Sequence, residues 1–212
     1  MGNFFNYDNK LFKAMEKLAD CLIVSVLWVV FSLPVFTMGA SIAALYETSR
    51  RVIINDEGYV LKTFVGTFKE NFFQCTKMWL IHLVAALALG ADCYIAKNYF
   101  GDEASSMLGV SYYVCILLIA FDYIWAIYTM TYTTRFTLGI KDTLKNGMLF
   151  TIGFLPRSAL ILVVFIAVTV ILYIAPVFIL LMPAFAGILY TIILEKVYNR
   201  FINDESDEEG NL

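Results

Sequence analysis

Charge is scarce in this sequence: only 16% of the 212 residues are Asp, Glu, Lys or Arg, 60% are hydrophobic, and the mean hydropathy is +0.75. A chain so poor in charge cannot dress a soluble surface, so a water-soluble fold is excluded and the bilayer is the expected solvent. Histidine occurs once. The cysteines, Cys21, Cys75, Cys93 and Cys115, are widely spaced in or beside apolar runs with no CxxC. That excludes a zinc ribbon or a dithiol redox motif and leaves buried structural thiols, with no metal and no cofactor expected. HExxH, a phosphate-binding glycine loop, a nucleophile elbow and paired carboxylates on one face are all missing, so the chain is not expected to be an enzyme. Lacking a Walker motif, it could not power transport by itself. No nucleic-acid partner is expected.

What the sequence does have is apolar runs along its whole length, separated by short charged segments. This organisation predicts one membrane domain over residues 1–203, with no linker to a second. Five acids, Asp204, Glu205, Asp207, Glu208 and Glu209, crowd residues 204–212, which are expected to form a disordered cytoplasmic tail. The "TMGA" stretch resembles a signal-peptide cleavage site. The residues before it mix acids and aromatics with lysines, so the N-terminus is expected to be retained.

Residues 76–96, 107–134, 158–174 and 177–195 read as spans or near-spans, since a helix needs about 20 apolar residues to cross. Pro176 is placed at a tight turn between the last two, and Pro183 is expected to kink the final helix. Phe5, Leu11, Phe12, Met15 and Leu18 can share one helical side opposite Lys10, Lys13 and Lys17. The pattern suits an interfacial amphipathic helix with lysines toward headgroups, or equally a mere extension of the first span. "FVGTFKENFFQCTKMWLI" and "FTLGIKDTLKNGMLFTIGF" read as interfacial elbows leading into spans.

The stretch "LWVVFSLPVFTMGASIAALYETSRR", residues 27–51, is harder to read, because a proline and a glycine interrupt it. If residues 18–46 cross once as a kinked helix, there are five helices and Lys10, Lys13, Lys17 and Lys97 fall outside. If the chain turns at Pro34, there are six, both termini are cytoplasmic, and only Lys97 of the fifteen basic residues is outside. The positive-inside tendency favours the turn. Length favours the single crossing, because residues 35–49 make a helix of only about 22 Å. The fold class is therefore all-α, a polytopic membrane bundle of six helices, or five, with an N-terminal interfacial helix.

"FNYDNKLFKAMEKLADCLIVSVLWVVFSLPVFTMGASIAALYE", followed by "FKENFFQCTKMWL" and "IKDTLKNGMLFTIGFLPRSALIL", resembles the YesL family of small bacterial membrane proteins of unknown function. The resemblance covers nearly the whole chain and is densest from Phe5 to Glu47. Where the family usually carries an asparagine before Leu-Leu-Trp, this chain reads "VSVLW", with Ser25 nearby. The resemblance implies a bacterial plasma-membrane protein encoded beside carbohydrate ABC importers, sensor kinases and glycoside hydrolases, and so a part in sugar uptake or its regulation.

Among candidate residues Asp122 is foremost, because it lies about 20 Å from the cytoplasmic Arg135 at helical rise, near the midplane. It could relay protons or bind a substrate hydroxyl; alternatively it is a protonated carboxyl bonded to a neighbouring helix. His82 could shuttle protons or be an interior hydrogen-bonded residue. Tyr123 and Trp125, on the aromatic helix that carries Asp122, could stack on a sugar or serve packing. Pro34, Gly39, Ala43, Pro183 and Gly187 suit close helix packing or a partner interface. Arg50, Arg51, Lys69, Lys141 and Lys145 form a basic cytoplasmic face for lipid headgroups or a partner. The leading expectation is an accessory or assembly partner of a carbohydrate ABC importer, contacting its permease subunits. The alternatives are an autonomous small carrier or channel built on Asp122, or a membrane regulator of sugar sensing, against which stand outer loops of at most about ten residues.

Overall fold

The computed structural model describes the backbone of residues 10–100 and 107–209, and the side chains of residues 12–98 and 110–202. Among the described residues every regular element is helical. The helices are α1 (Lys10–Ser32), α2 (Met38–Thr48), α3 (Val60–Phe100), α4 (Met107–Arg135), α5 (Ile140–Gly153), α6 (Leu155–Ile174) and α7 (Met182–Glu209). Three stretches, Val60–Asn98, Val110–Arg135 and Leu155–Ile174, are long and apolar enough to cross a membrane. Seven helices replace the expected six, for reasons that lie in local sequence.

The first difference is at the N-terminus. Among the described residues no interfacial helix stands apart there, because nothing in residues 10–32 breaks the backbone, and α1 runs through them without interruption. Lys13 and Lys17 turn to their own chain: both pair with Asp56, at 3.5 and 3.0 Å, and Lys17 also donates to the Ile53 carbonyl at 2.9 Å. The Lys17 ammonium bonded to Asp56, with Lys13 adding its charge, holds that carboxyl below the usual carboxylate range. Phe5 lies outside the described residues.

Those same bonds decide the Pro34 question. Residues 13 and 17, near the start of α1, sit against residues 53 and 56, so the chain that leaves along α1 has come back along α2. Pro34 is extended at φ −75° and ψ 113°, lacks the N–H a continuing helix would need, and starts a short 3-10 turn, Val35–Thr37. Thr37 Oγ1 lies 2.6 and 2.7 Å from the Phe31 and Pro34 carbonyls, so its single proton is shared between them and caps an acceptor freed where α1 ends. Below α2, a π-helical turn, Ser49–Ile54, carries the chain into the loop before α3. That loop reverses through two left-handed residues, Asp56 (φ 57°) and Gly58 (φ 83°), conformations that Asp tolerates and Gly adopts freely.

The two expected elbows part company. The first is not a separate element but the N-terminal half of α3, a 41-residue helix about 60 Å long at the usual rise. That half packs on α1 through aromatic rings, with Phe31 of α1 edge-on to Phe64 and Phe68 at 5.6 and 4.8 Å and Phe72 at 5.4 Å from Phe68. The second elbow is real: α5 stops at Gly153, Phe154 leaves helical space (φ −117°, ψ 46°), and α6 begins at once. Ser158 Oγ donates to the Thr151 carbonyl at 2.9 Å and ties the two helices across the break.

Pro183 does not kink the last helix. A 3-10 turn, Pro176–Leu180, follows α6, and α7 starts at Met182, so Pro183 occupies the first helical turn, where no hydrogen bond is lost. At the other end α7 continues to Glu209. Residues 204–209 of the acidic segment, expected to be disordered, thus share the helical backbone of α7, which meets no glycine or proline after Gly187 before Gly210.

Candidate functional site

Asp122 and His82 meet. The α3 and α4 helices pack antiparallel, and His82 Nδ1 lies 2.9 Å from Asp122 Oδ1, with the residues 2% and 8% exposed. The remaining ring nitrogen, Nε2, is buried and has no hydrogen-bond partner among the described residues. Trp125, one turn beyond Asp122, sets its ring edge-on to the imidazole at 4.7 Å between centroids. Its indole N–H donates to the Leu144 carbonyl of α5 at 2.9 Å. The pair thus ties the two helices together and is braced from α5. A carboxylate accepting from Nδ1 orients the ring and leaves Nε2 as a lone-pair acceptor. This contact was legible in the sequence, because positions 82 and 122 are equally far from 102, in the segment joining α3 to α4.

Tyr123 points elsewhere. Its hydroxyl is 2.9 Å from that of Tyr190 on α7, and its ring lies on Phe165 of α6 at 4.1 Å. The four candidates for transport or ligand binding therefore divide: His82, Asp122 and Trp125 form one group, and Tyr123 belongs to an apolar cavity between helices. Tyr128 and Tyr132 of α4 serve packing, buried with Phe150 and Tyr198 in an aromatic core.

The small residues are used within the chain. A Cβ on Gly39 would stand 2.6 Å from Trp79 Cβ and 2.9 Å from the Cys75 carbonyl, so only glycine allows α2 to approach α3 this closely. Ala43 is fully buried in the same contact region. A Cβ on Gly187 would stand 2.7 Å from Ser49 Oγ and 2.9 Å from Leu45 Cγ. Pro34 and Pro183 mark the turns already described. These faces pack helix against helix inside the protein.

The basic residues also divide. Lys69, Lys141 and Lys145 are exposed. Arg50 and Arg51 instead converge on Glu47, whose residue is 2% exposed. Arg50 donates to its two carboxylate oxygens at 3.0 and 2.7 Å, and Arg51 pairs with it as well. Beside this cluster Tyr46 donates to Glu195 of α7 at 2.5 Å, and the Arg135 guanidinium lies 3.4 Å from the same carboxylate. Sequence reasoning missed this network. The Glu47 part was legible, because its arginines follow at three and four residues, the spacing that faces side chains on a helix. The tie to Glu195 spans 149 positions and had no local signal.

Next to the network opens a polar cavity of about 540 Å³, lined among others by Glu47, Arg51, Glu57, Lys62, Glu70 and Asn71. Its donors and acceptors of both signs suit a small polar or zwitterionic solute better than an anion or a cation. Neither His82 nor Asp122 lines it. Among the described residues no three His, Cys, Asp or Glu groups come together to hold a metal.

Residues 21–93 match a family model described as a protein of unknown function, DUF624. The matched stretch runs from α1 through the Pro34 turn and α2 into α3, and so includes His82 but not Asp122. No curated protein and no solved structure matches the chain.

Proposed function

We propose that this chain is a non-enzymatic plasma-membrane protein, bacterial and of YesL type, that serves as an accessory or assembly subunit of a carbohydrate ABC importer. Its N- and C-termini lie in the cytoplasm, with the exposed lysines Lys69, Lys141 and Lys145 facing anionic headgroups there. The observation that carries this reading is how little of the apolar helix surface the chain covers itself. Only 11% of the most apolar stretch of α3, 22% of that of α4 and 11% of that of α6 is buried. Leu80, Val84 and Leu87 on α3, and Tyr113 and Leu117 on α4, stand exposed. Such surface is covered by lipid or by other membrane helices, and contiguous apolar patches of this kind are where partners dock. The resemblance to the YesL family over Phe5 to Glu47 overlaps the DUF624 match and supplies the kind of partner.

The test is affinity purification of the tagged protein at native level in mild detergent, with mass spectrometry of what accompanies it. Stoichiometric recovery of sugar-importer permeases is the expected result, lost in Val84→Trp and Leu87→Trp variants that remain folded. Recovery of the chain alone would contradict the reading.

A second reading, an autonomous carrier, is favoured by the unpartnered His82 Nε2 beside Asp122. It expects solute uptake into proteoliposomes that Asp122→Asn abolishes. The placement of the pair outside both the polar and the apolar cavity ranks it second.

A further inference from the structure

The apolar cavity that Tyr123 faces has a volume of about 380 Å³ and is enclosed by α1, α2, α3, α4, α6 and α7. Its size lies within the range of ligand pockets, about 300–1,000 Å³, and its walls are of the kind such pockets use, mostly apolar with few polar groups. Trp28, Trp79, Phe165 and the Tyr123 and Tyr190 rings form much of the lining. The two tyrosine hydroxyls are bonded to each other, so neither calls for a ligand. The Trp28 indole N–H is buried and has no hydrogen-bond partner among the described residues.

Water is a poor occupant, because a buried water needs two to four polar partners and this lining offers almost none. Left empty, such a void leaves its lining atoms without packing partners on one side. The occupant must therefore be apolar. The cavity reaches the outer surface at Phe165 and Thr169 of α6 and Ile179 of the following 3-10 turn, all exposed. On either side stand Val163, Ile166 and Val170, whose exposed apolar side chains face lipid if α6 spans the membrane. The opening is thus lateral, toward the bilayer.

We propose that this cavity holds one acyl chain of a membrane phospholipid, entering past α6, with the Trp28 N–H donating to its ester carbonyl. The chain's methylenes replace the missing packing, and the carbonyl satisfies the polar atom of the wall that has no partner among the described residues. The proposal rests on the membrane placement of α6 and is independent of any importer.

The experiment uses the full chain in phosphatidylethanolamine and phosphatidylglycerol vesicles that carry a trace of phosphatidylglycerol with a diazirine at mid-acyl depth. Photolysis and peptide mapping should label cavity residues Tyr123 and Tyr190 as well as the outward Val163 and Ile166. Filling the cavity with Ala186→Phe, or with Val168→Trp if the first variant fails to fold, should reduce the inner labels at least tenfold and leave the outer ones unchanged. Outer labels without inner ones, or inner labels indifferent to filling, would overturn the acyl-chain site while leaving the membrane placement intact. Absence of label at both would overturn that placement and the site with it.

Discussion

At Gly39 a single hydrogen in place of a methyl group sets the distance between two helices. Gly39→Ala forces its Cβ against Trp79 and the Cys75 carbonyl, backbone that cannot swing aside, and overpacking of this kind costs about 1–3 kcal/mol. The expected readout is a fall of several degrees in the thermal midpoint in detergent, and an unchanged midpoint would show that α2 has room to retreat. Glu47→Ala leaves Arg50, already largely covered, without its bidentate partner. Breaking a buried pair from one side costs about 3 kcal/mol, so this variant should be among the least stable single substitutions. Glu47→Gln, which keeps an acceptor, should lose less. For the His82 pair the contrast is sharper: Asp122→Asn keeps an oxygen for Nδ1 and should unfold near the wild-type temperature. Asp122→Ala leaves both ring nitrogens buried without partners and should cost about 2 kcal/mol. Equal stability of the two variants would mean that the pair contributes nothing to holding α3 against α4.

At the scale of elements, the sequence carried its breaks more clearly than its continuities. Pro34 and the Gly153 and Phe154 junction are legible because proline lacks a donor and because the charged, amphipathic α5 gives way abruptly to the wholly apolar α6. The continuity of α3 was not legible: its first half carries Lys62, Lys69 and Glu70 and reads as interfacial, and the packing of Phe64 and Phe68 on Phe31 is a contact between distant residues with no local signal. Pro183 misled for a related reason, since a proline kinks a helix interior but merely opens a first turn, and its place depended on the 3-10 turn before it. The loop between the π-helical turn and α3 offers a test of how the hairpin is latched. Asp56 has its carboxyl lowered by the Lys17 bond, so the latch is fully formed above the ordinary carboxylate range, near pH 4, and is lost as pH falls through the depressed value. Amide exchange of residues 53–58 should therefore accelerate in acid in the wild type, whereas Asp56→Asn should exchange rapidly at every pH. An acid-independent wild type would show that the lysines do not hold this loop.

For the whole molecule, the fold divides into a closed and an open part. Small residues and the Glu47 and Glu195 network are consumed in joining α2, α3, α4 and α7, while the outward faces of α3, α4 and α6 are left apolar and uncovered. Any partner therefore meets the outward faces, and Gly39→Leu or Gly187→Leu should disrupt the chain's own packing before it disturbs a complex. In the orientation proposed above, the Pro34 turn leaves Lys97 as the one basic residue outside. The most direct test of this arrangement is cross-linking in intact membranes. Cysteines at Lys17 and Asp56, in a chain whose four native cysteines are serine, should be joined within one molecule by a short bismaleimide, and both should react with a thiol reagent from the cytoplasmic side only. Reaction of the two cysteines from opposite sides of the membrane, with no intramolecular cross-link, would contradict the turn and the topology built on it.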